Sequence, residues 1–452
     1  MSNRDASHCI AVIGGAVAGA EVAGRLAESG CEVVVFEQNP RPYGKLEDGL
    51  PRWHVALRNK EYAAIAARLT QPGVHFVPLT RIGGDVGFRD LVDDWGFSGV
   101  VLANGAWRDR QLPVEGADAY IGKGLIYQNP FIVWFNHMDD SRYDGPSFEP
   151  QDRGIVVGGG LASIDVAKVL MLETTRAVLR ARGIEVDMVE LEVKGIPKTL
   201  AKHDLVFEDL GLEGCTIYYR RRQEDMPLVE IPDGATAERE QKVRGSRRKL
   251  LDKATQKYCF RIEELCMPDQ LIVADDRLAG LKFRRTRAED GRVIATDETF
   301  DVRGSCVISS IGSIPLPIDG IPTQGELFAF TDWDLGRLEG FPSVFSAGNI
   351  VTGKGNIIAS RKHARKVTDT MVASFLGVSD SDEAGREAEA GLADVAREGA
   401  GEVADQIVDA IVAQPAIAPE VLSSIRERAA DRQREVGYTG DLQAWIEKSP
   451  AS

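Results

Sequence analysis

The stretch Cys9-Ile10-Ala11-Val12-Ile13-Gly14-Gly15-Ala16-Val17-Ala18-Gly19 decides the fold. Its apolar run reads as a buried strand. The glycine-rich turn behind it opens onto Ala20–Ser29, where small and apolar residues recur at helical spacing until Gly30. A second apolar run, Glu32-Val33-Val34-Val35-Phe36, ends at the acidic Glu37. Strand, turn, helix, strand and acid, in that order, are the parts of a dinucleotide-binding unit. The glycines let backbone N–H groups approach a pyrophosphate at the helix N-terminus, and the acid accepts a hydrogen bond from a ribose hydroxyl. Ala16 departs from the pattern, standing where the middle glycine usually sits. One such turn is a weak signal, and its weight depends on finding a second.

The chain has 452 residues, enough for two or three domains, with 43% hydrophobic and 27% charged residues. Its 46 glycines suit an α/β protein with several tight turns. A net charge of −15 argues against a nucleic-acid binder. The most apolar stretch, Cys9 to Ala27, is broken by glycines and Glu21, so no membrane span and no targeting segment is expected. A cytoplasmic location follows as the expectation. The six cysteines are scattered without a Cys-x-x-Cys spacing, which predicts free thiols in packing roles and no metal or cluster site.

Beyond Glu37, residues 38–54 form an irregular loop rich in Pro, Gly and aromatic residues, the composition of a binding loop. A helix over Tyr62–Leu69, a strand over Val74–Pro78 and a short helix over Phe88–Asp94 follow. Gly99 to Ala106 reads as a strand ending in a small-residue turn. The second nucleotide unit then begins with the strand Gly154–Val157, the turn Gly158-Gly159-Gly160-Leu161-Ala162-Ser163 and a helix over Ile164–Leu172. A helical insertion, 174–214, delays its partner strand, Cys215–Tyr219, which ends in Arg220-Arg221-Arg222. The two units differ in the residue that closes them. A carboxylate suits a ribose with free hydroxyls, whereas guanidinium forks suit a 2′-phosphate that a carboxylate would repel. The first site therefore reads as FAD or NAD and the second as NADP. Leu271–Val273, Leu281–Arg285 and Thr299–Val302 predict a small antiparallel meander, and Cys306–Gly312 another buried strand and turn. Val344–Asn349 and Thr352–Ile357 form a third glycine-rich stretch, and the pattern from Ile357 to Leu376 is helical. From Gly377 the chain becomes rich in Ala, Glu, Asp and Arg, with apolar residues at helical spacing (Val403, Ile407, Ile411) and a break at Pro415–Pro419.

Together these residues resemble the adrenodoxin reductase-like ferredoxin–NADP reductases and the related small subunit of glutamate synthase. Gly14–Gly19 with Glu37 resembles the family's FAD fingerprint. Asp48-Gly49-Leu50-Pro51-Arg52-Trp53-His54 resembles its loop beside the flavin, and Val100–Gly105 its apolar strand ending in Ala-Thr-Gly, here with Asn104. Gly158–Lys168 resembles its NADP turn, with Leu161 where Asn is usual. Tyr219–Arg222 with Met226-Pro227 is similar to the corresponding glutamate synthase segment, and Ala347–Ile357 to the late FAD-binding segment, with Asn349 in place of Trp or Asp. The resemblance covers about residues 8–375.

The resemblance implies an α/β fold with two Rossmann-like domains, for FAD and NADP, plus a C-terminal helical extension. Residues 1–116 and 311–375 would form the FAD domain, 117–310 the NADP domain and 376–452 the extension. FAD contacts are expected from Gly14, Gly15, Ala16, Ala18, Gly19, Glu37, Gln38, Lys45, Leu46, Leu50, His54, Ala103, Asn104, Gly105, Gly348, Asn349, Gly355, Asn356 and Ile357. NADP contacts are expected from Gly158, Gly160, Leu161, Ala162, Ser163, Arg220, Arg221 and Arg222, and His54 is the candidate catalytic residue. The implied activity is electron transfer between NADPH and a one-electron carrier such as ferredoxin or flavodoxin. The basic run Arg361–Lys366 is the candidate docking face for an acidic carrier. The alternatives are an electron-input subunit of a larger iron–sulfur oxidoreductase, or a flavin redox sensor or assembly protein. In the first the extension would dock the partner and in the second it would be the working part; on any of these readings it is the candidate surface for partner docking or homo-oligomerisation.

Overall fold

Runs of Val and Ile that are apolar on both faces belong in a parallel sheet covered by helices on each side, and this chain builds two such sheets. The computed structural model describes residues 7–229, 231, 234–289, 292–333, 336–352, 369–379 and 382–450. The first sheet holds β1 (Cys9–Ile13), β2 (Glu32–Phe36), β3 (Val74–Val77) and β4 (Gly99–Leu102). The late segment Val344–Ser346 pairs with β4, giving the order Val344–Ser346, β4, β1, β2, β3. Every pair is parallel, with Ile13 opposite both Phe36 and Leu102, so β1 is central and wholly buried. Helix α1 (Val17–Glu28) connects β1 to β2, and α2 (Val55–Leu69) precedes β3. The start of α2 at Val55 rather than Tyr62 has a local reason. Pro51 closes the loop, and most of Ala56 to Glu61 are good helix formers.

The second sheet repeats the plan. Strand β5 (Leu125–Tyr127) leads into α3 (Gln128–His137), and β6 (Ile155–Gly158) leads into α4 (Leu161–Ala181). After α5 (Met188–Lys194) come β7 (Thr216–Tyr218), α6 (Ala237–Tyr258) and β8 (Arg261–Glu263). Helix α4 runs on to Ala181, well past the expected Leu172, because apolar residues through Leu179 keep facing the core. A meander of β9 (Cys266–Ala274), β10 (Arg277–Glu289) and β11 (Arg292–Arg303) follows. Its arms are far longer than the apolar cores visible in sequence, since much of their length is half-exposed and carries Arg, Asp and Glu. Strand β12 (Val307–Ser310) then enters the second sheet between β5 and β6, in the order β5, β12, β6, β7, β8. The two chain crossings between the sheets meet as a short antiparallel pair, Arg108–Asp109 with Ser313–Ile314.

The C-terminal residues form α7 (Asp369–Phe375), α8 (Asp382–Val412), α9 (Pro419–Val436) and α10 (Leu442–Lys448). Their apolar stripes are buried within the chain. Ala404, Ile407 and Ile411 of α8 join the core that holds Val22 and Leu26, and Leu422, Ile425 and Ala429 of α9 join the core around β1 and β2. Polar anchors fix the register. Lys60 Nζ lies 2.7 Å from Asp394, Gln433 Nε2 donates to Phe76 O at 2.8 Å, and Trp445 Nε1 to Pro40 O at 2.6 Å. Among the described residues no helix is long and apolar enough to cross a membrane.

Candidate functional site

The carboxyl ends of β1, β2 and β4 open onto a cavity of about 630 Å³, within the range of cofactor sites. Gly14, Ala16 and Ala18 of the first turn line it, with Glu37, Gln38, Lys45, Leu46, Ala103, Asn104, Gly105 and Gly348. Sequence reasoning thus named residues from four separate segments that the fold brings to one wall. Gly14 has φ +102, a conformation L side chains rarely adopt, and Gly19 packs so closely on Gly14 that a Cβ there would come within 1.8 Å of its carbonyl oxygen. Ala16 is the N-cap of α1 in extended backbone, φ −77 and ψ −164, which any residue accepts. Its methyl faces Gly44, where an added Cβ would lie 3.0 Å away. The room a middle glycine would provide is supplied by the loop opposite.

Glu37 is buried and holds the turn from below. Gly15 N–H donates to its Oε2 at 2.8 Å and Asn39 N–H to Oε1 at 2.9 Å. Burial pushes the carboxyl up to about 7, against the pull of those N–H groups. Two further polar atoms of cavity-lining residues, Asn104 Oδ1 and Ser346 Oγ, are buried without a hydrogen-bond partner among the described residues. Orphaned acceptors and hydroxyls of this kind are expected where a polar ligand completes the structure. The residues present therefore fit a dinucleotide.

Lys45 reaches away from the turn. Its Nζ donates to Asn129 Oδ1 and to Ser313 Oγ, both at 3.1 Å, and lies 5.5 Å from the Trp107 ring centre. Asn129 gives its own amide N–H to Trp107 O at 2.9 Å, and its backbone N–H to Asp109 at 3.1 Å. Trp107, Asp109, Asn129 and Ser313 lie outside the motifs read in sequence, and no local signal marks them. The same holds for Thr80–Gly83, Leu316–Asp319 and the α8 residues Gly399, Glu402 and Gln406, which complete the wall. Gly15, Gly19, Leu50 and His54 are not on it. Asn349 opens the short helix Asn349–Thr352 beside Gly348. Gly355, Asn356, Ile357 and the run Arg361–Lys366 lie outside the described residues.

His54 caps the start of α2 and is buried. Its Nε2 accepts the Trp53 indole N–H at 3.0 Å and stands 4.0 Å from Asp165 Oδ1, and its ring stacks on Phe375 at 4.5 Å. Asp165 belongs to α4, so the histidine joins the loop of the first unit to the helix of the second.

The second turn presents the N-terminus of the 21-residue α4, capped by Gly160 with open space above it. Leu161 is buried beneath and Ser163 Oγ donates to Gly160 O at 2.7 Å. Gly159 lies flat against the Tyr219 ring, where a Cβ would come within 2.1 Å, and Tyr219 Oη donates to Asp225 O at 3.2 Å. Because β7 runs parallel to β6, with Val157 opposite Tyr218, Arg220–Arg222 leave the sheet beside the glycine turn. Arg222 pairs with Glu224 at 3.6 Å, while Arg220 and Arg221 form no ion pair with a described residue. Arg244 of α6 contacts Asp225, and the buried Arg247 donates to Val229 O at 2.8 Å. The basic face of α6 thus holds the loop after the arginines in place.

No protein-family model matches the chain. Among curated proteins it is similar to the mitochondrial NADPH:adrenodoxin oxidoreductase of Arabidopsis thaliana, at 24% identity over 426 residues, 83% of this chain and 84% of that protein. Over 175 residues it is 29% identical to the glutamate synthase [NADPH] small chain of Bacillus subtilis, 37% of this chain and 34% of that one. Its fold matches the structure of Mycobacterium tuberculosis FprA in complex with NADPH, with a TM-score of 0.65 and 19% identity over 95% of this chain and 91% of that one. Coverage of that extent includes most of residues 376–452. The C-terminal extension, which the sequence placed outside the resemblance, lies within the shared fold. Over most of its length the chain is similar to the adrenodoxin reductase-like ferredoxin–NADP reductases, and it is also similar to the small subunit of glutamate synthase.

Proposed function

We propose that the chain is an FAD-containing, NADP-dependent oxidoreductase that moves electrons between NADPH and a one-electron carrier such as ferredoxin or flavodoxin. One observation carries the reading. A single chain holds two parallel nucleotide sheets, one closed by the buried acid Glu37 and the other by Arg220 and Arg221 with no ion pair to a described residue. FAD, when bound, supplies the redox chemistry, since a flavin accepts a hydride and releases electrons singly.

The chain supplies position. Glu37 takes the ribose hydroxyls of FAD, the Gly14–Gly19 turn its pyrophosphate, and Asn104 and Ser346 further polar groups of the cofactor. Gly158–Ser163 cradle the pyrophosphate of NADPH, and Arg220 and Arg221 fork onto its 2′-phosphate. His54 acts through the loop it ties to α4. We assign residues 1–116 with 311–375 to the FAD unit and 117–310 to the NADP unit. All six cysteines are free thiols, and burial pushes Cys259 and Cys306 up to about 11. This supports electrons leaving without a thiolate relay, and it favours a cytoplasmic setting.

The test is rapid-mixing reduction of the purified protein by NADPH and by NADH, followed by mixing with ferredoxin or flavodoxin. The expected protein is yellow, is reduced far faster by NADPH, and reoxidises when the carrier is added. A protein that neither carries nor takes up FAD refutes the reading.

A further inference from the structure

We propose that the Lys45 ammonium is the electrostatic partner of the flavin ring and raises the cofactor's reduction potential. The inference rests on the function proposed above and assigns a role within that site. Lys45 lies deep in the protein yet faces the cavity, which is why it keeps some accessible surface. Its two acceptors, Asn129 Oδ1 and Ser313 Oγ, are neutral, and among the described residues no carboxylate lies within ion-pair distance. Asn129 cannot turn its amide around without losing the bond from Nδ2 to Trp107 O. An ammonium has three N–H groups, and the third finds no acceptor among the described residues. A buried cation left without a counter-charge is costly unless a ligand completes it. Burial pulls Lys45 down to about 8 against the attraction of Asp109, consistent with a charge lacking a close partner.

Position selects the ring rather than the phosphates. Glu37 marks the adenosine end of the cavity and the Gly14–Gly19 turn the pyrophosphate. Asn129 stands in the first turn of α3, just beyond β5, and Ser313 just beyond β12. Both are at the carboxyl ends of second-sheet strands, the edge where such sheets place their ligand. The ammonium therefore stands where the cavity of the first unit meets the ligand edge of the second, the place a flavin ring must occupy to be reached by NADPH. A hydride brings two electrons and one proton, so its arrival adds one net negative charge to the ring. A fixed cation alongside favours that state over the neutral oxidised one.

The experiment is a reductive titration of the full-length, FAD-loaded protein against a reference dye. Lys45→Gln removes the charge at nearly constant length, and Lys45→Arg keeps it. Asn129→Asp instead sets a carboxylate against the ammonium at constant size, and serves if Lys45→Gln does not fold. We expect Lys45→Gln and Asn129→Asp to lower the reduced-to-oxidised ratio at fixed potential at least tenfold, about 30 mV for a two-electron couple. Lys45→Arg should stay within about threefold, and all three should retain stoichiometric FAD. The inference is overturned if the two charge-altering variants stay within about threefold of the wild type. It is also overturned if Lys45→Gln loses FAD while the flavin that remains keeps the wild-type potential, which would place the ammonium on the phosphates. Failure of the wild type itself to bind FAD would instead refute the proposed function.

Discussion

Replacing Lys168 by methionine should destabilise the protein by about 3 kcal/mol. Lys168 of α4 is fully buried, with Nζ 2.7 Å from Glu192 Oε1 and 4.6 and 4.7 Å from the ring centres of Trp53 and Tyr258. Truncating one member of a buried pair costs about 3–5 kcal/mol because the partner is left charged and unpaired. Here the Tyr258 hydroxyl, 2.7 Å from Glu192 Oε1, still donates after the change, which sets the expectation at the low end. Burial is the largest influence and would raise the Glu192 carboxyl, but Lys168, with smaller help from Lys257 and the Tyr258 hydroxyl, outweighs it so that the net shift is downward. In the Lys168→Met variant the balance reverses. In the wild type the Glu192 contribution is present above its unfolded pKa and lost as pH falls. In the variant stability rises as pH falls and the acid is neutralised. The deficit between the two should therefore shrink on acidification. Urea denaturation followed by tryptophan emission is the assay, since Trp53 faces the lysine. The double variant Lys168→Met, Glu192→Leu should recover most of the loss, as apolar replacement of a buried pair usually does. A single-variant loss below about 1 kcal/mol, or a double variant no better than the single, would mean that Lys168 does not hold a buried charge on Glu192.

Two further outcomes follow from the nucleotide ends. Arg220→Ala with Arg221→Ala should weaken NADPH binding by about 1.5–3 kcal/mol per guanidinium while leaving NADH binding nearly unchanged, as read by titration calorimetry. Equal losses for both nucleotides would remove the arginines from the 2′-phosphate. Burial raises the Glu37 carboxyl to about 7 in the flavin-free protein, so its contribution to the stability of that form is full below about pH 4.5 and lost as pH rises through 7. Ribose hydroxyls need the carboxylate, so FAD affinity should fall as pH drops from 8 to 5. Glu37→Gln should flatten that profile, and an unchanged profile counts against the assignment.

Local pattern made the nucleotide strands legible. Cys9–Ile13, Glu32–Phe36, Ile155–Gly158 and Val307–Ser310 are short apolar runs beside glycine or acid, and the turns behind them carry their own chemistry. Glu37 and Arg220 could be told apart as acid and base from their place at a strand end. Lys45 could be placed on the FAD loop, but not its surroundings, because Asn129 and Ser313 reach it from 84 and 268 residues away in sequence. The contribution of α8 to the cavity wall was hidden for the same reason. The meander arms were underestimated because a half-exposed strand carrying Arg, Asp and Glu resembles a loop. His54 stood out as a histidine in a binding loop, whereas its burial against Phe375 and Asp165 depends on contacts that sequence spacing does not encode.

The pairing of Val344–Ser346 with β4 bears on the order in which the molecule is made. Strands β1 to β4 leave the ribosome early, but the strand that completes their sheet follows β4 by more than two hundred residues, and α8 is later still. At 5–20 residues per second that is a wait of roughly 10–50 s. Strands β5 to β12 all lie between, so the second sheet can finish while the first is still short of its edge. During that interval Gly99–Leu102 is an apolar strand with one side unpaired, the kind of surface that chaperones hold and that aggregates grow from. A chain released before residue 346 would carry an intact second sheet and no means of closing the first.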